Sequence, residues 1–161
     1  MTFVHGTSVP LREVPFTVEG DSAAVRAARR VIDGIGGVAH SIRKQDKAAY
    51  HLWATFASPL MTALFATAEQ VASIAHIPSA ESRKRVIPML QQTLDNYARL
   101  GAADGFSGPI IRGDSQTVER HLHELKDAPV AREVYVALAR AALRFLPSKR
   151  KSALKRLLGS R

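Results

Sequence analysis

The stretch DKAAYHLWATFASPLMTALFATAEQVASIA, residues 46–75, decides how the rest of the chain can fold. Its 21 residues from Ala48 to Ala68 include no Asp, Glu, Lys or Arg. As one helix it is apolar on nearly every side, so it must be covered by its own domain, by a second subunit or by lipid. Pro59 near its middle removes a backbone hydrogen bond, which predicts a kink or break between Thr55 and Ser58.

Residues 48–68 are long enough to span a membrane. The segment is nevertheless rich in Ala and Thr and lacks a flanking aromatic belt, which favours a helix inside a protein and no membrane partner. The short helices that follow cannot readily cover it, so we expect a homodimer. Its polar groups are the first candidates for a site: Tyr50, His51, Thr55, Ser58 and Thr62.

Strand and helix signals alternate before this segment. Residues 14–19 are β-branched and aromatic and predict a strand, after which Gly20-Asp21-Ser22 supplies a turn and an N-cap. A helix over 22–34 and a second strand over 38–42 complete a βαβ unit with parallel strands. Two parallel strands are not a stable sheet, so this unit is interpreted as the margin of a larger one.

Everything after residue 44 is predicted to be helical. Gly101 closes the first of the later helices, and Pro88 is expected to separate its short first turn from its main part. Residues 101–113, GAADGFSGPIIRG, are predicted to form an extended loop. Asp114 and Pro129 each mark a helix start. The later helices are predicted over about 80–100, 115–126 and 129–146, and from 147 onward.

Composition limits the chemistry. At 161 residues the chain is one ordinary domain. Without cysteine it has no disulfide and no thiolate chemistry, and its six scattered His lack the spacing of a metal site. The N-terminal residues MTFVHGTSVPLREVPF lack the features of a signal peptide. We therefore expect no structural metal and a cytoplasmic protein.

The formal net charge of +9 is unevenly distributed. The last 14 residues, SKRKSALKRLLGSR, hold six Lys or Arg and no acid, which leaves residues 1–147 with 17 basic and 14 acidic groups, or +3. The basicity therefore belongs to a tail. Such a tail is either solvated or a contact for nucleic acid or an acidic membrane surface.

A dinucleotide fingerprint requires GxGxxG directly after a strand. Gly34-Ile35-Gly36-Gly37 lacks the third glycine and lies between a helix and a strand, so we interpret it as a helix stop. The sequence also contains no Walker loop and no GxSxG. It therefore shows no self-sufficient active site, and we expect the chain alone to bind neither NAD nor NADP.

A polar set follows the glycine-rich segment. Asp114, Thr117 and His121 are spaced i, i+3 and i+7, which places them on one face of a helix. Arg112 can orient a carboxylate or phosphate, and His121 can exchange a proton near neutral pH. The alternative is a helix N-cap followed by a surface histidine.

The chain resembles a known family in four segments: VPFTVEGD (14–21), DKAAYHLWATFAS (46–58), QQTLDNYARLG (91–101) and GFSGPIIRGDSQTVERHLHEL (105–125). They resemble the C-terminal domain of Rossmann-like NAD(P)-dependent oxidoreductases that contain domain of unknown function 2520. The most specific part is GPIIRGDSQTVERHL, close to the family pattern GPxxRGDxxTxxxHL. The chain departs from the pattern at Pro59, where relatives usually have Asn.

The resemblance implies a division of labour between two domains. In the family a Rossmann domain binds NAD(P), and a helical domain similar to that of 6-phosphogluconate dehydrogenase supplies substrate-facing residues and a dimer interface. The implied fold is mainly α, a helical bundle preceded by the βαβ unit. His51 is implied as proton donor or acceptor, and we expect it to converge with Arg112 and His121 on one cavity. The implied substrate-binding residues are Tyr50, Ser58, Asn96, Arg112, Asp114, Thr117 and His121.

We therefore expect three parts: a βαβ margin of a missing Rossmann domain at 1–44, a helical substrate and dimerisation domain at 45–147, and a basic tail at 148–161. Two functions remain open. One is the substrate-binding and dimerisation domain of an NAD(P)-dependent oxidoreductase, inactive alone, whose partners are a second copy, a small-molecule substrate and a Rossmann domain in cis or in trans. The other is a non-enzymatic helical dimer module whose basic tail contacts nucleic acid or a protein partner.

Overall fold

The structure, a computed structural model, describes residues 10–159. This part of the chain divides into two units, one ending at Thr62 and the other beginning at Ala63. The elements in chain order are β1 (Pro15–Val18), α1 (Ser22–Gly34), β2 (Val38–Ser41), a 3₁₀ turn (Lys44–Asp46), α2 (Lys47–Ala57), α3 (Pro59–Ile74), α4 (Ser79–Gly105), α5 (Pro109–Arg112), α6 (Ser115–Glu124), α7 (Pro129–Phe145) and α8 (Lys151–Leu157). The predicted class, mainly helical with two short strands, is confirmed.

The first unit opens with the predicted βαβ arrangement. β1 and β2 are parallel, with Pro15 opposite Val38 and Val18 opposite Ser41. The Asp21 carboxylate caps α1 by accepting hydrogen bonds from the amides of Ala23 and Ala24, at 2.9 and 2.8 Å. Aspartate satisfies two amides that the helix itself leaves unpaired, and therefore sets where α1 begins.

The predicted break in the long apolar segment is confirmed. α2 ends at Ala57, and α3 begins at Pro59. Between them Ser58 leaves the helical region, at φ −135° and ψ −76°, although its amide still donates to the carbonyl oxygen of Ala54 at 3.1 Å. Proline at the first position of α3 needs no amide donor, which makes it a favourable helix start.

The helices on either side of this break are poorly covered. No residue of α2 or α3 is buried, and in α4 only Ser82 is. The large apolar side chains exposed on these three helices are Leu52, Trp53, Phe56, Leu60, Met61, Val71, Ile74, Ile87, Met89, Leu94, Tyr97 and Leu100. Within the described residues none of the helices is long and apolar enough to cross a membrane.

α4 corrects two predictions. Pro88 does not divide it, since helical backbone continues on both sides of this proline. The interruption falls at Gly101, with φ 75° and ψ −179°, where the sequence predicted the helix end. The predicted loop at 101–113 is largely helical, since the last turn of α4 and the whole of α5 lie within it.

The core of the second unit lies between α5, α6, α7 and α8. Val118 and Leu154 are fully buried within it, beside Ile110, Ala139, Leu143 and Leu158. Arg140 on α7 donates from its Nε to the carbonyl oxygen of Leu158 at 2.9 Å. The predicted basic helix is present as α8, and its Leu154 and the following Leu158 belong to this core.

Candidate functional site

A short turn between α5 and α6 carries Arg112, Gly113 and Asp114. Pro109 opens α5, and Gly113 ends it in the left-handed region at φ 68° and ψ 30°. Asp114 then caps α6, where its carboxylate accepts from the Thr117 amide at 3.0 Å and from the Thr117 hydroxyl at 2.8 Å. The predicted cap is confirmed, and it fixes Asp114 and Thr117 against each other.

The segment between α7 and α8 closes over this turn. The Lys149 amide donates to the carbonyl oxygen of Ile111 at 2.9 Å, and the Ser148 hydroxyl donates to that of Ile110. A Cβ at Gly113 would clash with the carbonyl oxygen of Lys149. Only glycine therefore allows both the left-handed backbone and this close approach.

A polar cavity of about 420 Å³ opens beside the turn. Its lining residues are Arg112, Gly113, Asp114, Ser115, Gln116 and Arg150. The hydrogen bonds from the Thr117 amide and hydroxyl are the main reason that the pKa of Asp114 is lowered. Desolvation opposes them, and the charges of Arg112 and Arg120 lower the pKa slightly further. Two guanidinium groups and one carboxylate give this cavity a net positive charge.

His121 lies on the second cavity of the unit, an apolar groove of about 680 Å³. Its Nδ1 lies 3.1 Å from the hydroxyl oxygen of Tyr135, and the two rings meet edge to face at 5.7 Å. Burial raises the pKa of Tyr135, so this phenol stays protonated at neutral pH. The pair is a polar contact in a lining that is otherwise largely aliphatic.

The structure places His121 in a different cavity from Arg112 and Asp114. Arg112 and Asp114 line the polar cavity, whereas His121, seven residues after Asp114, lines the apolar groove. The remaining member of that set, Thr117, bonds to Asp114. Asp114 and His121 therefore line two different cavities, although their spacing places them on one side of the helix.

The other predicted residues do not line either of these two cavities. Tyr50 in the first unit accepts a hydrogen bond from the Thr17 hydroxyl at 2.6 Å, while His51 is exposed and Ser58 is half-buried at the helix break. In the second unit the Asn96 side-chain oxygen accepts from Gln92 at 3.1 Å. Convergence of His51 with the second-unit residues stays a prediction.

The βαβ unit does not fit the pyrophosphate of NAD(P). In cofactor-binding units of this kind the free amides of the helix N-terminus face the phosphates. Here the Asp21 carboxylate occupies the amides of Ala23 and Ala24, and Glu19 pairs with Lys47 at 3.2 Å. Across the described part of the chain, His, Asp and Glu side chains form no group that could hold a metal ion.

Residues 14–142 match the sequence model of a family described as a domain of unknown function (DUF2520). The chain belongs to the DUF2520 family. The match includes both the βαβ unit and the turn that carries Arg112 and Asp114. Arg150, the second guanidinium of the polar cavity, lies beyond it.

A solved structure of a proposed NADP oxidoreductase from Bacteroides fragilis is similar to this DUF2520 chain, with a TM-score of 0.74 and 23% sequence identity. The similarity covers 88% of this chain and 53% of the other, so the chain spans about half the length of that relative. At this identity the comparison shows a shared fold. Comparison with curated proteins found no significant match.

Sequence reasoning missed two residues of these cavities in the DUF2520 chain. Tyr135 is part of an apolar series on α7 with Ala131, Leu138 and Ala142, and its hydroxyl was the only signal that it faces a polar partner. Arg150 gave no signal, because its position depends on a left-handed backbone at φ 50° and ψ 40°.

Proposed function

We propose that this chain is the substrate-binding and dimerisation part of an NAD(P)-dependent oxidoreductase, whose cofactor is held by a Rossmann domain in cis or in trans. The observation that carries the proposal is the shared fold with about half of a proposed NADP oxidoreductase. The occupied helix N-terminus of the βαβ unit supports it, since the phosphates must then be bound elsewhere. The two strands are positioned in sequence to extend the sheet of such a domain.

The polar cavity is the proposed site for a small acidic or carbonyl substrate. Arg112 and Arg150 can each present a planar pair of donors to a carboxylate. Asp114 and Thr117 hold the turn, so the substrate meets a fixed backbone. His51 is the proposed proton donor or acceptor, and Tyr50, Ser58 and Asn96 are proposed substrate contacts. His121 lines the apolar groove and is not assigned to this cavity.

The exposed apolar side chains of α2, α3 and α4 support the dimerisation role. Large apolar side chains exposed in this number on neighbouring segments of the chain are typical of an interface. The competing function is a dimer module whose basic tail contacts nucleic acid or a protein partner. It has less support, because the apolar side of the basic segment is packed in the core.

Cofactor binding tests the proposal. The chain alone should show no NADPH binding in calorimetry, which means a dissociation constant above about 1 mM. A chimera is made by joining the unmatched half of the Bacteroides fragilis relative to the N-terminus of this chain. This chimera should bind NADPH. Arg112→Ala in the chimera should leave NADPH affinity unchanged, since Arg112 is assigned to the substrate. Micromolar NADPH binding by the isolated chain would contradict the assignment.

A further inference from the structure

α4 carries an apolar stripe that is half-buried at Val86 and Leu90 and exposed at its C-terminal end. Val86, Leu90, Leu94 and Tyr97 follow the spacing i, i+4, i+8 and i+11 and therefore share one side of the helix. Leu94 is 64% exposed and Tyr97 is 60% exposed. The opposite side carries Lys84, Arg85, Gln91, Gln92, Asp95 and Arg99. From Ser79 to Leu100 the helix is about 33 Å long.

The apolar groove is the matching concave feature of the same unit. One wall is α3, whose Leu64, Ala68 and Val71 recur at helical spacing. The other wall comes from α6 and α7. Phe106 and Ile110 also line the groove. Burial of these apolar side chains away from water stabilises a complex.

We propose that α4 of one copy lies in the apolar groove of a second copy, and that the second copy returns the same contact. The inference rests on the dimerisation proposed above and specifies how the two copies meet. Such a contact is isologous, because the same two patches are used by both copies and the interface closes as a dimer. It covers the stripe and the groove together.

The size of these surfaces favours a second copy. The lining of the groove and the stripe of α4 supply close to the roughly 20–30 residues that a stable interface uses on each side. A small apolar ligand could enter a cavity of this volume, but it would leave Leu94 and Tyr97 in water. Pairing of α4 with α4 would cover the stripe and leave the groove open.

The arrangement changes the surroundings of the His121–Tyr135 pair. In one copy this pair lines an open groove. In the proposed dimer the partner's α4 covers it and excludes water, so this part of each copy is completed by the other. The polar cavity around Arg112 is a separate opening and stays accessible in this arrangement.

Cross-linking tests the contact. Because the chain has no native cysteine, only the introduced cysteines can react. Leu94→Cys on the stripe and Leu138→Cys in the groove are made in separate chains, one carrying a mass tag, and are mixed to exchange subunits. A short flexible bismaleimide should then join the two chains to each other. The matched controls are Asp95→Cys and Ala137→Cys, exposed neighbours that lie outside the stripe and the groove lining. Thr93→Cys with Thr67→Cys repeats the test without removing a leucine.

The expected result is a linked species containing one tagged and one untagged chain, formed by the stripe and groove variants and lost with either control. Linking of Leu94→Cys chains to themselves, or a dimer in which neither cysteine pair links, would overturn the docking mode and leave the proposed dimer intact. A protein that stays monomeric in sedimentation would instead contradict the dimerisation itself. The NADPH experiment is independent of both outcomes.

Discussion

Gly113 is the residue on which the geometry of the polar cavity depends most. Its left-handed backbone costs a residue with a Cβ about 1–2 kcal/mol, and the Lys149 carbonyl leaves no room for that Cβ. Gly113→Ala should therefore lower the free energy of unfolding by more than about 2 kcal/mol. Urea denaturation followed by circular dichroism measures the loss.

Two other glycines separate the causes. At Gly101 a Cβ meets no atom within 4 Å, but φ is 75° and ψ is −179°, so Gly101→Ala should cost only the backbone strain of roughly 1–3 kcal/mol. At Gly34, the last residue of α1, a Cβ also meets nothing within 4 Å. Gly34→Ala should be neutral or stabilise the chain by up to about 1 kcal/mol. Equal losses at all three positions would contradict this explanation.

Asp114 should give stability a specific dependence on pH. Its pKa is lowered in the folded chain by the hydrogen bonds from Thr117, so its contribution is fully present above the ordinary value of 3.8 and is lost as pH falls through the lowered folded value. Asp114→Asn should therefore flatten part of the fall in urea midpoint below about pH 4. Asp95→Asn, on the exposed side of α4, is the matched control and should leave the profile unchanged.

At the residue scale, sequence predicted local contacts better than long-range ones. The Asp21 and Asp114 caps follow from side-chain chemistry that acts within three residues. The contact between His121 and Tyr135 joins two helices and had no local signal. Helical spacing placed Asp114 and His121 on one face. It could not show that His121 contacts Tyr135 of α7 and lines a different cavity.

α8 contributes to the core of the second unit through its apolar side. Leu154 is fully buried against Val118 and its neighbours. Leu154→Ala should lower the free energy of unfolding by about 2–5 kcal/mol, because a buried leucine leaves a cavity. Lys155→Ala, one residue further and exposed, should change it by less than about 0.5 kcal/mol. A Leu154→Ala variant as stable as the parent would mean that the basic segment does not belong to the core.

The two internal prolines show what sequence can predict about elements. Pro59 follows Ser58, which leaves the helix, and the expected break is present. Pro88 lies within a helix that is uninterrupted around it. Both prolines are exposed, so neither the residue type nor its exposure distinguishes the proline that begins a new helix from the one that a helix tolerates.

At the scale of the whole molecule, the 21 charge-free residues are sufficient to predict an uncovered apolar surface. Trp53 and Phe56, both within that run, are exposed as predicted. The groove that could receive the stripe was not predictable, since its walls come from α3, α6 and α7. Only the fold brings those walls to face each other.

The mass of the protein in solution tests the central claim that this chain is incomplete as a single copy. Sedimentation equilibrium over about 1–100 μM should give a mass near 35 kDa, twice the 17.5 kDa of one chain, because an obligate interface stays closed in this range. Leu94→Lys should shift the distribution toward monomer, while Asp95→Lys should not. A parent protein that sediments at 17.5 kDa across the whole range would contradict the claim.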